Sequence, residues 1–276
     1  MCLRFLTGIY GDGFAPYLHV LLNSIDEVYG SDAKVYIYHD NLCDETIKEI
    51  NRKSPQAIMR PFPMRVERKY QEGSILAKWQ LIAHERQFLT KGVNDLSDGP
   101  LVILNSDMLF LRKIDKFLPE DNDFDIAFTY KTEKDEALKW PINCGLMIID
   151  NSVRVRKFFN YWQEVTDDIL INGLALGDEY WGGIQQASFG RIIQERNSQA
   201  YREGFVCRDC KLVGIPCKYL NETRRTQNLS DSYVLHYKSL WRHCLPQCEY
   251  SEYVTPQNAS TMMGLWQGHL ERWNAR

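Results

Sequence analysis

The first half of the chain alternates short apolar segments with amphipathic helical segments, and this alternation restricts the possible folds more than any other feature. The apolar segments predict four strands, which are Leu3–Tyr10, Lys34–Tyr38, Ala57–Phe62 and Leu101–Leu104. Helical spacing predicts three helices between them, which are Tyr17–Tyr29, Asp44–Lys53 with Asp44 as its N-cap, and Ser74–Thr90. Strands that are joined by helices pair in parallel, with right-handed crossovers. We therefore predict an α/β fold in which helices flank a mostly parallel central sheet.

The second half has a mixed pattern. It predicts strands over Asp125–Tyr130, Cys144–Asp150 and Tyr233–Tyr237, and helices over Val153–Leu170 and Glu179–Phe189. No internal repeat or low-complexity linker divides the chain, so we expect a single domain over residues 1–276. The part from about residue 190 to 276 has an irregular pattern, and we expect it to complete the site.

Composition excludes several classes of protein. Hydrophobic residues make up 44% of the 276 residues, which is enough for a substantial core. The net charge of −3 is unlike the basic field of a nucleic-acid-binding protein, so no nucleic-acid partner is expected. The chain has no apolar run of roughly 18 residues and no apolar signal-peptide core near its start. We therefore expect no transmembrane segment and a cytoplasmic location.

The eight cysteines fall into two groups. Cys2, Cys43 and Cys144 are scattered, and we expect them to be buried thiols. Five others cluster late in the chain, at Cys207, Cys210, Cys217, Cys244 and Cys248. The first two have zinc-knuckle spacing, but no second Cys-x-x-Cys follows. Free thiols are the expectation for an intracellular chain, and a zinc site or a disulfide stays as the alternative.

The segment Leu101–Phe110 contains the first candidate site. A run of four apolar residues ends abruptly at Asn105-Ser106-Asp107, which places two oxygen-bearing side chains one residue apart. Ligands of open α/β sheets collect at the carboxyl ends of the strands, and side-chain oxygens there can hold a hard cation. All three residues also favour turns, so a simple turn is the alternative.

Two further polar groups follow along the chain. Asn143 and Gly145 enter an apolar strand, where a glycine lets the backbone approach a ligand closely. Asp178 and Glu179 stand at the start of a predicted helix, where acids also serve as caps that favour the helix dipole.

The last group begins at the end of the final predicted strand. His236 is followed by Lys238 and Arg242, so a histidine and two cations lie close together in the sequence. A lone histidine is most often a structural residue, but a histidine beside two cations and near a candidate metal site favours a functional role.

These four elements, in this order, resemble the GT-A nucleotide-sugar glycosyltransferases, especially the family-eight-like group. In that family the fourth strand ends in Asp-x-Asp, a later strand opens with Asn-x-Gly, a helix start carries an aspartate, and a segment that begins with histidine closes the site. The resemblance covers roughly residues 3–242. It implies a GT-A fold and the transfer of a sugar from a UDP- or GDP-sugar to a hydroxyl of a glycan or another acceptor. The order of the elements favours retention of the anomeric configuration.

The resemblance also implies a metal site for Mn²⁺ or Mg²⁺. Asp107 matches the second aspartate of the motif, and His236 matches the histidine that completes the metal shell. Asn105 stands at the first aspartate, which contacts the ribose or the metal in the family. An amide oxygen is a weaker ligand for a hard cation than a carboxylate, so this departure bears on metal dependence.

Other positions match residues that bind the donor or take part in the reaction. The sugar is expected at Asn143 and Gly145, and the diphosphate at Lys238 and Arg242. The acid near the anomeric carbon is expected to be Asp178 or Glu179. The nucleoside is expected at the ends of the first strands, at Thr7, Tyr10 and Asp40. Lys78 either points at phosphate or is a solvated helical lysine.

Two other functions fit parts of the same pattern. A nucleotidyltransferase shares the sheet topology, but Gly11-Asp12-Gly13 after the first strand lacks the basic residue typical of that class. A carbohydrate-binding protein with a degraded transferase site is suggested by Asn105, together with seven Trp and fifteen Tyr residues.

Overall fold

The computed structural model describes residues 2–63, 86–119, 122–131, 141–171, 184–194, 197–221, 229–237 and 256–276. Its centre is an eight-stranded sheet with the strand order β3-β2-β1-β4-β7-β6-β9-β8. The strands are β1 Leu3–Tyr10, β2 Ala33–Asp40, β3 Ala57–Pro61, β4 Pro100–Leu104, β6 Ile126–Tyr130, β7 Ile142–Asp150, β8 Phe205–Cys207 and β9 Cys210–Pro216. A second sheet pairs β5 Met108–Phe110 with β10 Val234–His236.

The central sheet is mostly parallel, as predicted, and its two reversed strands are β7 and β8. β1 pairs in parallel with β2 and β4, and β6 pairs in parallel with β9. β7 lies between β4 and β6 and is antiparallel to both. Because Leu104 at the end of β4 pairs with Leu146, the first residues of β7 lie at the edge where β4 ends. A reversed strand therefore brings its amino end to the carboxyl edge of its parallel neighbours, where ligands collect.

Helices cover both faces of this sheet. They are α1 Ala15–Tyr29, α2 Asp44–Lys53, α3 over residues 86–95, α4 Val153–Ile171, α5 Ile184–Ile193, α6 Ser198–Glu203, α7 Cys217–Leu220 and α8 Pro256–Ala275. One apolar core joins the sheet to α1, α2 and the end of α8. The other joins it to α3, α4 and α5 and is rich in aromatic side chains, including Phe159, Trp162 and Phe189. Within the described ranges, no helix has both the length and the apolar character that crossing a bilayer requires.

The β5–β10 pair is held against the body of the protein by α8. A third apolar cluster contains Leu109 of β5, Leu235 of β10, and Met262 and Trp266 of α8. In addition, the hydroxyl of Tyr237 donates a hydrogen bond of 2.8 Å to the carbonyl of Met262. The last helix thus supports the small sheet, which contains His236 and begins directly after Asp107.

Local predictions agree with the structure in most of the first half. β1 and α2 have the predicted bounds, and α1, β2, β3 and β4 differ from prediction by two residues or fewer at each end. The predicted N-cap of α2 was wrong, because Cys43 occupies that position and its sulfur accepts from the amide of Thr46. Asp44 and Glu45 instead lie in the first turn, where the helix dipole favours acids.

In the second half, four predicted elements agree with the structure within two residues at each end, namely the strands Asp125–Tyr130, Cys144–Asp150 and Tyr233–Tyr237 and the helix Val153–Leu170. Other elements of this half were missed. The β8–β9 hairpin, whose turn residues Arg208 and Asp209 have φ of +48° and +62°, was missed, as was the long helix α8. Most of the predicted helix Ser74–Thr90 and the first part of Glu179–Phe189 lie outside the described residues. Cys2 and Cys43 are exposed rather than buried, and the six described cysteines are free thiols. Cys244 and Cys248 lie outside the described residues.

Candidate functional site

The carboxyl edge of the central sheet brings together polar residues that are far apart in the sequence. Asn105 follows β4, and its main-chain amide donates a hydrogen bond of 2.9 Å to the main-chain carbonyl of Gly145 in β7. The main-chain amide of Gly145 in turn donates to the side-chain oxygen of Asn143 at 3.0 Å. Two of the motifs found in the sequence are therefore in direct contact.

Asp107 and His236 meet through the small sheet. His236 pairs with Met108 across β5 and β10, and the amide of Tyr237 donates to the carbonyl of Asp107 at 2.9 Å. This pairing places Nε2 of His236 3.1 Å from Oδ1 of Asp107. The histidine side chain is 8% exposed and the carboxylate 19% exposed, so the pair is largely shielded from solvent.

A glycine is required at position 145 because the His236 ring lies very close to its main chain. A Cβ at this position would lie 2.9 Å from Cε1 of His236 and 3.1 Å from Cε of Met108. The first distance is shorter than carbon atoms tolerate, so the imidazole occupies the space that a side chain would need. The glycine of the Asn-x-Gly pattern thus makes room for the candidate metal ligand.

A chain of hydrogen bonds holds the other side of the His236 ring. Nδ1 of His236 is 2.7 Å from Oδ1 of Asn221. Nδ2 of Asn221 donates to the hydroxyl of Thr129 at 2.6 Å, and that hydroxyl donates to the carbonyl of Asn143 at 2.5 Å. Thr129 and Asn221 could not be selected from the sequence, because neither belongs to a motif and both reach the site only through folding.

The donor set suits a divalent cation such as Mn²⁺ or Mg²⁺. Nε2 of His236 is buried and makes no hydrogen bond among the described residues, although a carboxylate oxygen lies 3.1 Å away. The carboxylate of Asp107 and the side-chain amide oxygen of Asn105, two residues away in the chain, are oxygen ligands of the kind that Mn²⁺ and Mg²⁺ prefer, and His236 adds an imidazole nitrogen. Asn105 is half-buried at the end of β4, so its side chain is not sealed in the core. Among the described residues, no cluster of three His, Cys, Asp or Glu side chains is present.

Tyr17 of α1 also belongs to this region, although sequence analysis did not select it. Burial raises the pKa of its phenol well above the usual range, and the negative charge of Asp107 raises that pKa further. Tyr17 also makes an edge-on contact with Trp266, with ring centroids 6.3 Å apart. A neutral hydroxyl therefore lies near the candidate metal ligand, held by an aromatic neighbour from α8.

The ends of β1 and β2 form the predicted nucleoside region. Tyr10 pairs with Asp40, and the amide of Gly11 donates to the carbonyl of Asp40 at 2.9 Å. The side chains of Tyr10 and Asp40 are half-buried. Asp12 is engaged elsewhere, because its carboxylate accepts from the amide of Cys43, and a hydrogen bond from Thr46 lowers its pKa.

Thr7 has a different environment from the other predicted donor residues. It lies inside β1, its side chain is fully buried, and its hydroxyl makes no hydrogen bond among the described residues. The donor site proposed below therefore omits Thr7. Five other predicted site residues lie outside the described residues, and they are Lys78, Asp178, Glu179, Lys238 and Arg242.

Comparisons with known proteins identify the fold. No protein-family model matches the chain, and no curated protein matches it in sequence. The glycosyltransferase GlyE of Streptococcus pneumoniae TIGR4 superposes with a TM-score of 0.59 at 11% identity, over 99% of this chain and 63% of GlyE. The galactosyltransferase LgtC, in complex with donor and acceptor sugar analogues, superposes with a TM-score of 0.55 at 10% identity, over 96% of each chain. The bifunctional glycosyltransferase WbbM superposes with a TM-score of 0.52 at 12% identity, over 96% of this chain and 51% of WbbM.

These likenesses extend over nearly the whole chain. The chain has a GT-A fold and is similar to the family-eight group, to which LgtC belongs. It spans less than two thirds of the length of GlyE and about half the length of WbbM. The predicted fold class is confirmed, whereas the site residues and the metal stay predictions.

Proposed function

Taking the GT-A fold as the premise, we propose that this protein is a glycosyltransferase. It moves a sugar from a UDP- or GDP-sugar to a hydroxyl group of a glycan or another acceptor, and it uses Mn²⁺ or Mg²⁺. The observation that carries the proposal is the approach of Asp107 to Nε2 of His236, at 3.1 Å, at the carboxyl edge of the sheet. A buried nitrogen that lies 3.1 Å from a carboxylate oxygen is placed to share a cation with it.

The metal would be held by Asp107, His236 and Asn105. When bound, it supplies positive charge that stabilises the developing charge of the departing nucleoside diphosphate. The small sheet and α8 hold two of these ligands on packed elements, so they need little rearrangement before binding.

The remaining donor contacts are proposed from the family resemblance. We place the nucleoside at Tyr10 and Asp40, where an aromatic ring and a carboxylate border the ends of β1 and β2. We place the transferred sugar near Asn143 and Gly145, which adjoin the metal ligands. Lys78, Lys238 and Arg242 are proposed for the diphosphate.

In the reaction, the bond between the anomeric carbon and the phosphate oxygen breaks, and a bond to the acceptor oxygen forms. The positive charge that develops on the sugar would be stabilised by Asp178 or Glu179. If the configuration is retained, which the family resemblance favours, the departing diphosphate takes the acceptor proton. If it is inverted, Asp178 or Glu179 takes that proton as a general base.

Calorimetric titration tests the proposal. UDP-glucose, UDP-galactose, UDP-N-acetylglucosamine and GDP-mannose are titrated into the protein with and without Mn²⁺, and the release of nucleoside diphosphate is followed. We expect at least one donor to bind in the presence of Mn²⁺ and to be slowly hydrolysed. If no donor binds, the transferase proposal is wrong; if a donor binds but is never consumed, the degraded-site alternative is favoured.

A pair of matched variants tests the role of Asp107. Asp107→Ala is expected to lose Mn²⁺ binding and turnover while it keeps the melting temperature of the wild type within a few degrees. Asp123→Ala is the control, because Asp123 precedes β6 at the opposite edge of the sheet and is 92% exposed. Equal turnover in the two variants would contradict the proposed metal site.

A further inference from the structure

We propose that Thr129 and Asn221 are positioning residues that hold the His236 ring in one tautomer, with its proton on Nδ1 and its lone pair on Nε2. The proposal rests on the metal-dependent function proposed above and concerns the same site. It follows from a chain of three hydrogen bonds, each of which determines the direction of the next.

The first bond has only one possible direction. The main-chain carbonyl of Asn143 can only accept, so the hydroxyl of Thr129, 2.5 Å away, must donate its single hydrogen to it. The hydroxyl then has only lone pairs for other neighbours. The Asn221 atom that lies 2.6 Å from it must be a donor, which makes it the amide nitrogen Nδ2.

This orientation of Asn221 determines the proton position on His236. With Nδ2 turned to Thr129, the amide oxygen faces Nδ1 of the ring at 2.7 Å and can only accept. Nδ1 must therefore carry hydrogen. A neutral imidazole has one N–H, so its lone pair lies on Nε2, 3.1 Å from Oδ1 of Asp107. Two acceptors that face each other at this distance are suited to share a cation.

Because these residues are buried, the loss of any one of these hydrogen bonds is costly. Thr129 is 1% exposed, Asn221 2% and His236 7%, so water has little access to replace a lost partner. A reversed Asn221 amide would set its oxygen against the Thr129 hydroxyl, which has no hydrogen left to give. The three residues lie on different elements, since Thr129 belongs to β6, Asn221 follows α7 and His236 ends β10. The chain therefore also ties the small sheet to the central one.

The test compares two substitutions at Thr129. Thr129→Val keeps the branched shape but removes the hydroxyl, whereas Thr129→Ser keeps the hydroxyl. Mn²⁺ affinity is measured by electron paramagnetic resonance in the absence of donor. We expect Thr129→Val to bind Mn²⁺ about 10-fold to 100-fold more weakly, as is usual when a partner behind a metal ligand is lost, and Thr129→Ser to stay close to the wild type.

A second readout measures the tautomer itself without metal. Nitrogen-15 NMR at pH 8, with His236 assigned by comparison with His236→Gln, is expected to show protonated Nδ1 in the wild type and a mixture of tautomers in Thr129→Val. Protonated Nε2 in the neutral wild-type ring would overturn the proposal even if Thr129→Val fails to fold. Equal Mn²⁺ affinities in folded Thr129→Val and Thr129→Ser would also overturn it. If the wild type shows the Nδ1 tautomer but binds no Mn²⁺, the metal-dependent function fails while the assigned tautomer stands.

Discussion

Replacement of Gly145 by alanine tests whether the close packing around His236 matters for the site. The new Cβ would lie 2.9 Å from Cε1 of His236, 3.1 Å from Cε of Met108 and 3.2 Å from Oδ1 of Asn143. The methionine end is flexible and can move. The imidazole cannot move freely, because Asn221 holds its far side at 2.7 Å. The strain therefore falls on the ring that faces Asp107.

Overpacking of a well-packed interior costs about 1–3 kcal/mol. For a chain of this length, that cost corresponds to a fall in melting temperature of roughly 2–5 °C. We also expect weaker Mn²⁺ binding, because displacement of the ring changes its distance from Asp107. Calorimetric unfolding measures the first effect, and Mn²⁺ titration measures the second.

Gly264→Ala provides the matched control. Gly264 lies in α8, is exposed, and a Cβ there would meet no atom within 4 Å. Alanine at an exposed helical position should stabilise the protein by about 1 kcal/mol. In a His236→Ala background, Gly145→Ala should cost less stability than it does in the wild type, because the clashing ring is absent. The double variant Gly145→Ala/His236→Ala is therefore compared with His236→Ala alone. If Gly145→Ala has the melting temperature and the Mn²⁺ affinity of the wild type, the predicted clash with the His236 ring is refuted.

Three further predictions concern other parts of the molecule. Asn105→Asp should bind Mn²⁺ more tightly than the wild type, since a carboxylate is a better ligand for a hard cation than an amide; unchanged affinity in a titration would exclude Asn105 from the metal shell. Trp273→Ala should lower the free energy of unfolding in urea by about 3–5 kcal/mol, because the indole is fully buried and stacked on His19 at 4.6 Å; a loss under about 1 kcal/mol would show that α8 contributes little. Burial lowers the pKa of His19 to about 4, so the unfolded chain takes up a proton near pH 6.5 that the folded chain does not, and stability should fall as the pH decreases from about 6.5 to 4. In His19→Phe that part of the pH dependence should disappear from urea unfolding curves, and an unchanged slope would contradict the assignment.

Much of the local structure could be predicted because each element carries its own periodicity. β1 and α2 have the predicted bounds, since an apolar run and a helical repeat with acids first and bases last are local signals. The helix α8 was missed for the opposite reason. Its buried residues, among them Met262, Trp266 and Trp273, are spread among Gly, Asn and Gln, and contact with α1 and the small sheet decides that this stretch packs as a helix.

The candidate site, too, could be predicted from the sequence only in part. The sequence by itself determined that Asn105, Asp107 and Asn143 stand at the ends of apolar strands, because a strand and the polar residues next to it are adjacent along the chain. Only the tertiary structure decided that β7 runs against β4, so that Asn143 and Gly145 reach the same edge as Asp107. It also decided which groups meet His236. Thr129 and Asn221 are 92 residues apart in the sequence and meet only in the folded chain. The main-chain carbonyl of Asn143 determines the direction of the hydrogen bond between them, and no local sequence pattern predicts that contact.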